Sequence, residues 1–152
     1  MRRRLIVGLA LLGLLAAAAI PAIAAIDGPE TNAKVRIATL TGDGETADID
    51  SDGVGVATVT IDRRKKVLCY DISITGVTPI AFHIHDGAAG VDGPIVVDFT
   101  AFGQAVKKQS RGCTRDVAKP LLRDIQQNPE DYYVNIHSDA YPGGELRGQL
   151  DK

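Results

Sequence analysis

From residue 34 onward, apolar and polar positions alternate in short runs broken by Gly, Pro and Asp, the pattern of half-buried β-strands joined by turns. Lys34 to Leu40 alternates, with Val35 and Ile37 on one face, and ends at the turn Thr41-Gly42-Asp43-Gly44. Val54 to Asp62, VGVATVTID, is a β-branched run. Lys66 to Thr75 alternates more cleanly: Leu68, Tyr70, Ile72 and Ile74 share one face and leave Cys69 on the other. Ile80 to His85, Pro94 to Phe99, Tyr132 to Asp139 and Glu145 to Leu150 complete a set of about seven. One stretch changes period. Between Asp116 and Asn128, Val117, Leu121, Leu122 and Ile125 recur at helical spacing, which predicts a short helix from Lys119 to Gln127. Pro120 fits its first turn and Pro129 follows its end. The expected architecture is all-β: a Greek-key-like antiparallel β-sandwich of about seven strands, with one helix capping an end.

The first residues read as an address. Met1 to Arg4 is basic, Leu5 to Ile20 is apolar, and Ala22-Ile23-Ala24 supplies small residues at a cleavage site. That order predicts a signal peptide over 1–24, a flexible segment over 25–33, and one β-domain over 34–152. The expected location is extracytoplasmic, secreted or periplasmic, with no membrane attachment after cleavage.

The leader takes three of the 17 basic residues, which leaves 14 against 19 acidic ones and a net charge of about −5. With no basic stripe, nucleic acid and anionic membrane surfaces fit poorly as partners. Arg63-Arg64-Lys65-Lys66 reads as a solvated hairpin tip. Asp48 to Gly53 begins like a calcium loop, but Val59 stands where a bidentate Glu is needed, so an Asx-rich turn is the expectation. No Ser-His-Asp array, catalytic Cys or carboxylate pair stands out.

In an exported chain the two cysteines, Cys69 and Cys113, are expected to form a disulfide, with Cys113 in a loop, SRGCTRD, passing over the sheet.

The chemistry concentrates in three histidines. His83 and His85 form an H-x-H pair in an extended segment, so both imidazoles point the same way, from Cα atoms about 6.5 Å apart. His137 lies in the strand YYVNIHSD, where Tyr133 and Asn135 share its face. Three neutral imidazoles suit one copper or zinc ion and leave a coordination position open. Asp86 and Asp139, each just beyond a histidine, are candidates for a fourth ligand or for a group that orients one.

FHIHDGAAGVDGPIVVDF, together with YYVNIHSDAYPGGELRGQL and the earlier GVGVATVTID, resembles the CHRD domain over roughly Val35 to Leu150. The family, named for chordin and present in exported bacterial proteins, implies an all-β domain outside the cytoplasm and little about chemistry. Chordin's own growth-factor role belongs to a larger protein and does not carry over. The H-x-H strand, the later V-x-I-H strand and the Gly-rich turn into a strand with an Arg are also similar to the copper half of Cu/Zn superoxide dismutase. That likeness implies His83, His85 and His137 as copper ligands and Arg147 as an anion-attracting charge; the bland role for Arg147 is an ion pair. A fourth, bridging histidine and a zinc loop are missing, which excludes the two-metal enzyme.

Three readings follow. The first is a non-catalytic copper- or zinc-binding module. The second is an interaction or envelope domain with structural histidines and an unidentified protein partner. The third is a single-copper, dismutase-like enzyme.

Overall fold

The computed structural model describes residues 33–100 and 107–151. The expected leader over 1–24, and all of the 25–33 segment except Ala33, lie outside the described residues. The strands are β1 (Ala33–Thr41), β2 (Val54–Asp62), β3 (Val67–Thr75), β4 (Pro79–Asp86), β5 (Ile95–Asp98), β6 (Gln109–Thr114), β7 (Tyr132–Ser138) and β8 (Leu146–Gln149). The helix α1 spans Lys119–Gln127, the range its periodicity predicts. Among the described residues no helix is long and apolar enough to cross a membrane.

All eight strands belong to one antiparallel sheet in the order β5-β4-β7-β8-β1-β2-β3-β6. Four strands separate β3 from β4 in that order, yet only Gly76, Val77 and Thr78 connect them. Three residues reach roughly 10 Å, about the spacing of two stacked sheets, so the sheet must curl until its halves face each other. Contacts across the core agree: the rings of Tyr70, on β3, and Phe99, just after β5, lie 4.3 Å apart. The result is a sandwich made from one bent sheet. Its bend falls at the β1–β8 seam, which the register holds only through Thr41 opposite Arg147 and a bridge from Ile37 to Asp151.

Between the halves lie Leu40, Val59, Ile61, Leu68, Ile72, Ile84 and Ile136, all fully buried. Leu68, Tyr70, Ile72 and Ile74 share the inner face of β3, as the alternation requires. Val35 and Ile37 also share a face, but it is the outer one, and they stay 49% and 50% exposed while Ala38 and Leu40 turn inward. Ile80 leaves the face of Phe82 and Ile84 as well. The β4–β7 register slips between Pro79 and Ala81, and Ile80, the unpaired residue, is 42% exposed.

The helix packs Leu122 and Ile125 into the core. Gln126 joins it to the β1–β2 end by donating to the Ile61 carbonyl at 3.0 Å and accepting from Arg36.

The eighth strand is β6, and it corrects the placement of Cys113. Rather than riding a loop over the sheet, Cys113 sits in the edge strand directly opposite Cys69. The two form the expected disulfide, with Cα atoms 3.9 Å apart.

Candidate metal centre

Alternation along β4 and β7 decides what each face of these neighbouring strands carries. Phe82 and Ile84 point into the core, so His83 and His85 point away from it; Val134 and Ile136 do the same for Tyr133, Asn135 and His137. The register sets His137 opposite Ala81, Asn135 opposite His83, and Tyr133 opposite His85. Neighbouring strands extend the row, with Asp98 of β5 opposite His83 and Arg147 of β8 opposite Asn135. A polar stripe therefore crosses the sheet on the face away from the core.

Loops cover this stripe. Glu45, after β1, accepts from Asn135 Nδ2; Thr46 donates to Asp92 in the loop after β4; and Ser51 donates to Glu145 in the loop after β7. Beneath them His83, His85 and His137 retain only 9%, 9% and 8% of their surface. The histidine face is neither core nor open surface, and Asn135 finds its buried partners in Glu45 and the Leu146 carbonyl.

The three imidazoles converge: one ring nitrogen from each lies within 4.8 Å of the others. Loop carbonyls fix two tautomers. His85 Nδ1 is 2.9 Å from the Gly93 oxygen and His137 Nδ1 is 3.0 Å from the Pro142 oxygen. A carbonyl can only accept, so both rings carry their proton on Nδ1 and present a bare Nε2. His85 Nε2 is buried with no hydrogen-bond partner.

His83 has one neutral form that suits its neighbours and one that does not. Its Nδ1 lies 2.9 Å from His137 Nε2, and its Nε2 lies 3.6 Å from Asp98 Oδ1. A proton on Nδ1 is donated to His137 Nε2 and leaves the Nε2 lone pair 3.6 Å from the half-buried Asp98 carboxylate, beyond hydrogen-bond reach. A proton on Nε2 faces Asp98 and leaves two lone pairs facing each other.

Two glycines let the covering loops reach the rings. A Cβ on Gly93 would fall 1.5 Å from the Asp86 carbonyl oxygen, so only glycine returns the chain close enough to offer its own oxygen to His85. Gly144, at φ 140°, occupies backbone space that favours glycine, and its Cβ would stand 2.8 Å from Asn135 Nδ2.

Burial is the first cause of the histidines' electrostatics. It pushes His83 down to about 4, with help from His137 and opposition from Asp98. It lowers His85 against the Gly93 bond, and His137 against the Pro142 bond. At neutral pH all three are unprotonated bases, the form a metal ion requires.

Asp86 and Asp139 are exposed and stand outside the cluster. Asp86 pairs with Tyr132 in the register, on the face of β4 opposite to His85. The carboxylate beside the site is Asp98, which sequence spacing could not single out because only the β4–β5 register places it there. Arg147 is 1% exposed. Its Nη2 donates to the Ala88 and Val91 carbonyls at 2.8 and 3.0 Å, and its Cζ lies 3.5 Å from the centroid of the Tyr133 ring, which stacks on His85. The guanidinium thus braces the loop that carries Gly93, and its contact with the exposed Asp92 is long at 3.4 Å. The Asp48–Gly53 segment is an irregular loop, with Gly53 N donating to Ser51 Oγ and Tyr141 Oη donating to the Asp50 carbonyl.

Fold and site together define a class: a curled antiparallel β-domain with three convergent imidazoles on the loop-covered face of its sheet. The CHRD domain family matches residues 37–150, and the chain belongs to that family. No curated protein and no solved structure matches it.

Proposed function

We propose that the protein is an extracytoplasmic metal-binding domain that holds one copper or zinc ion through His83 Nδ1, His85 Nε2 and His137 Nε2. The observation that carries this reading is the convergence of three buried imidazoles, one of which, His85, has a buried Nε2 with no hydrogen-bond partner. With a cation among the three nitrogens, His83 carries its proton on Nε2, on the side of Asp98, while its Nδ1 and His137 Nε2 both turn their lone pairs to the ion. The same ion satisfies His85 Nε2, whose burial without a partner otherwise costs about 1–3 kcal/mol. Metal–nitrogen bonds of about 2.0–2.1 Å set two ligand nitrogens about 3.3–4.1 Å apart, so the present spacing needs shifts of under about 1 Å.

Two of the rings have a hydrogen-bonded acceptor behind them, Gly93 for His85 and Pro142 for His137, as metal-bound histidines usually do, and Asp98 stands 3.6 Å behind the third. When bound, the ion supplies a Lewis-acidic centre with a position open to solvent or a small ligand. We assign the site no turnover. Arg147, the cation that the dismutase resemblance would use to draw in an anion, is enclosed and bound to loop carbonyls.

Titration of the purified, tag-free protein should show uptake of one equivalent of Cu(II) or Zn(II), lost when His83 and His85 are both replaced by alanine. If the wild-type protein takes up neither metal, and the double variant loses only thermal stability, the histidines are structural and the proposal fails. Asp98→Asn should keep the stoichiometry and weaken affinity by about 10–100-fold, the usual effect of removing a partner that orients a ligand. Competition against a chelator of known affinity measures that difference.

A further inference from the structure

Away from the histidines, the β2–β3 turn and helix α1 line an open groove of about 770 Å³, within the range of small-ligand sites. Its rim is cationic: Arg63 and Arg64 come from the turn, Lys119 and Arg123 from the helix. The chain separates these pairs widely, and the docking of α1 brings them together. Asp62 holds the turn in shape by accepting from the Arg64 and Lys65 backbone N–H groups, both at 3.0 Å. On the helix, Lys119 and Arg123 stand four residues apart and so share a face.

Among the described residues Asp124 is the only carboxylate lining the groove, and its oxygens already accept from Asn128 Nδ2 at 2.8 Å and Tyr132 Oη at 2.7 Å. Those bonds hold the Asp124 carboxyl below the usual carboxylate range. Arg63, Lys119 and Arg123 therefore line the groove beside one committed carboxylate, on a chain of net negative charge. An anion in the groove is attracted by their charge. Pro120, Leu121 and Tyr132 add apolar wall.

We propose that this groove binds a compact polyanion: a ring-bodied saccharide or cyclitol bearing two or more sulfate or phosphate groups. Guanidinium forks suit such oxyanions because they donate two parallel hydrogen bonds, and the apolar wall suits the C–H faces of a ring. The charge forms one compact cluster rather than a stripe, so a compact ligand fits better than a nucleic-acid backbone.

The test is calorimetric titration of the full mature chain at low ionic strength. Sucrose octasulfate and inositol hexakisphosphate are the two charged arms; sucrose and myo-inositol are the uncharged controls. At least one polyanion should bind at a single site, with the stronger arm identifying sulfate or phosphate, and the controls should not bind. Arg63→Ala with Arg123→Ala should weaken binding by about tenfold or more at unchanged melting temperature. Lys65→Ala and Arg111→Ala, outside the groove, should change it less than about twofold. No binding by either polyanion overturns the proposal. So does an unchanged groove variant, or an equal loss in the two outside variants, which would mean diffuse charge attraction.

Discussion

Replacing Cys69 and Cys113 together by alanine is expected to lower the unfolding free energy by about 4 kcal/mol and the melting temperature by about 15 °C. The bond spans 44 residues of sequence, and opening it returns that loop's closure entropy to the unfolded chain. What it fixes in the fold makes the loss costly. β6 lies at the sheet's margin with β3 as its one neighbour, and only Ser110 and Thr114 of its six residues are buried. No large apolar side chain from β6 anchors it to the core, so the covalent link takes over that role. Urea titrations of the alanine variant and of reduced wild-type protein should give matching losses. If both retain a melting temperature within about 3 °C of the oxidised protein, the bond does not carry the edge.

Acid should destabilise the metal-free protein through its buried histidines. His83 has a folded value of about 4 against 6.5 for a solvated imidazole, and His85 and His137 are shifted the same way. A base with a depressed folded value binds its proton more readily once unfolded, so stability falls as pH drops from about 6.5 to about 4 and is flat above that window. His83 alone accounts for on the order of 3 kcal/mol across the range, with the other two adding in the same direction. Thermal melts in buffers from pH 8 to pH 4 should show this slope, and His83→Leu should flatten much of it. A slope that is unaltered in that variant would place the acid sensitivity elsewhere. Protons also compete for the ligand nitrogens, so uptake of Cu(II) or Zn(II) should weaken through the same window.

Much of this geometry was legible in period-two spacing. His83 and His85 had to share a face, and the same rule put Tyr133, Asn135 and His137 together. The helix was readable because Leu121, Leu122 and Ile125 recur at helical spacing between two prolines placed where a helix tolerates them. Alternation does not say which face is buried, so it could not show that Val35 and Ile37 lie outside. Nor did QSRGCT read as a strand: it holds no apolar residue but Cys113, and it pairs only because β3 offers a free margin. Sequence spacing is equally silent about cross-strand neighbours and loop carbonyls. Asp98, Gly93 and Pro142 reach the histidines through the β4–β5 register and two glycine-dependent turns, so the groups that orient the rings emerged only with the fold.

The ends of the sheet have a further consequence. An open strand with free amides and carbonyls invites a second molecule to add on, the first step toward fibres. Here one border, β5, is four residues long and irregular, with its pairing slipping opposite Ile84 and His85. The other, β6, is stapled to its neighbour and carries the charged Arg111 outward. Neither border offers a long, flat template, so a concentrated solution of the oxidised protein has little to polymerise along. Cutting the staple would free one such border and make that route available.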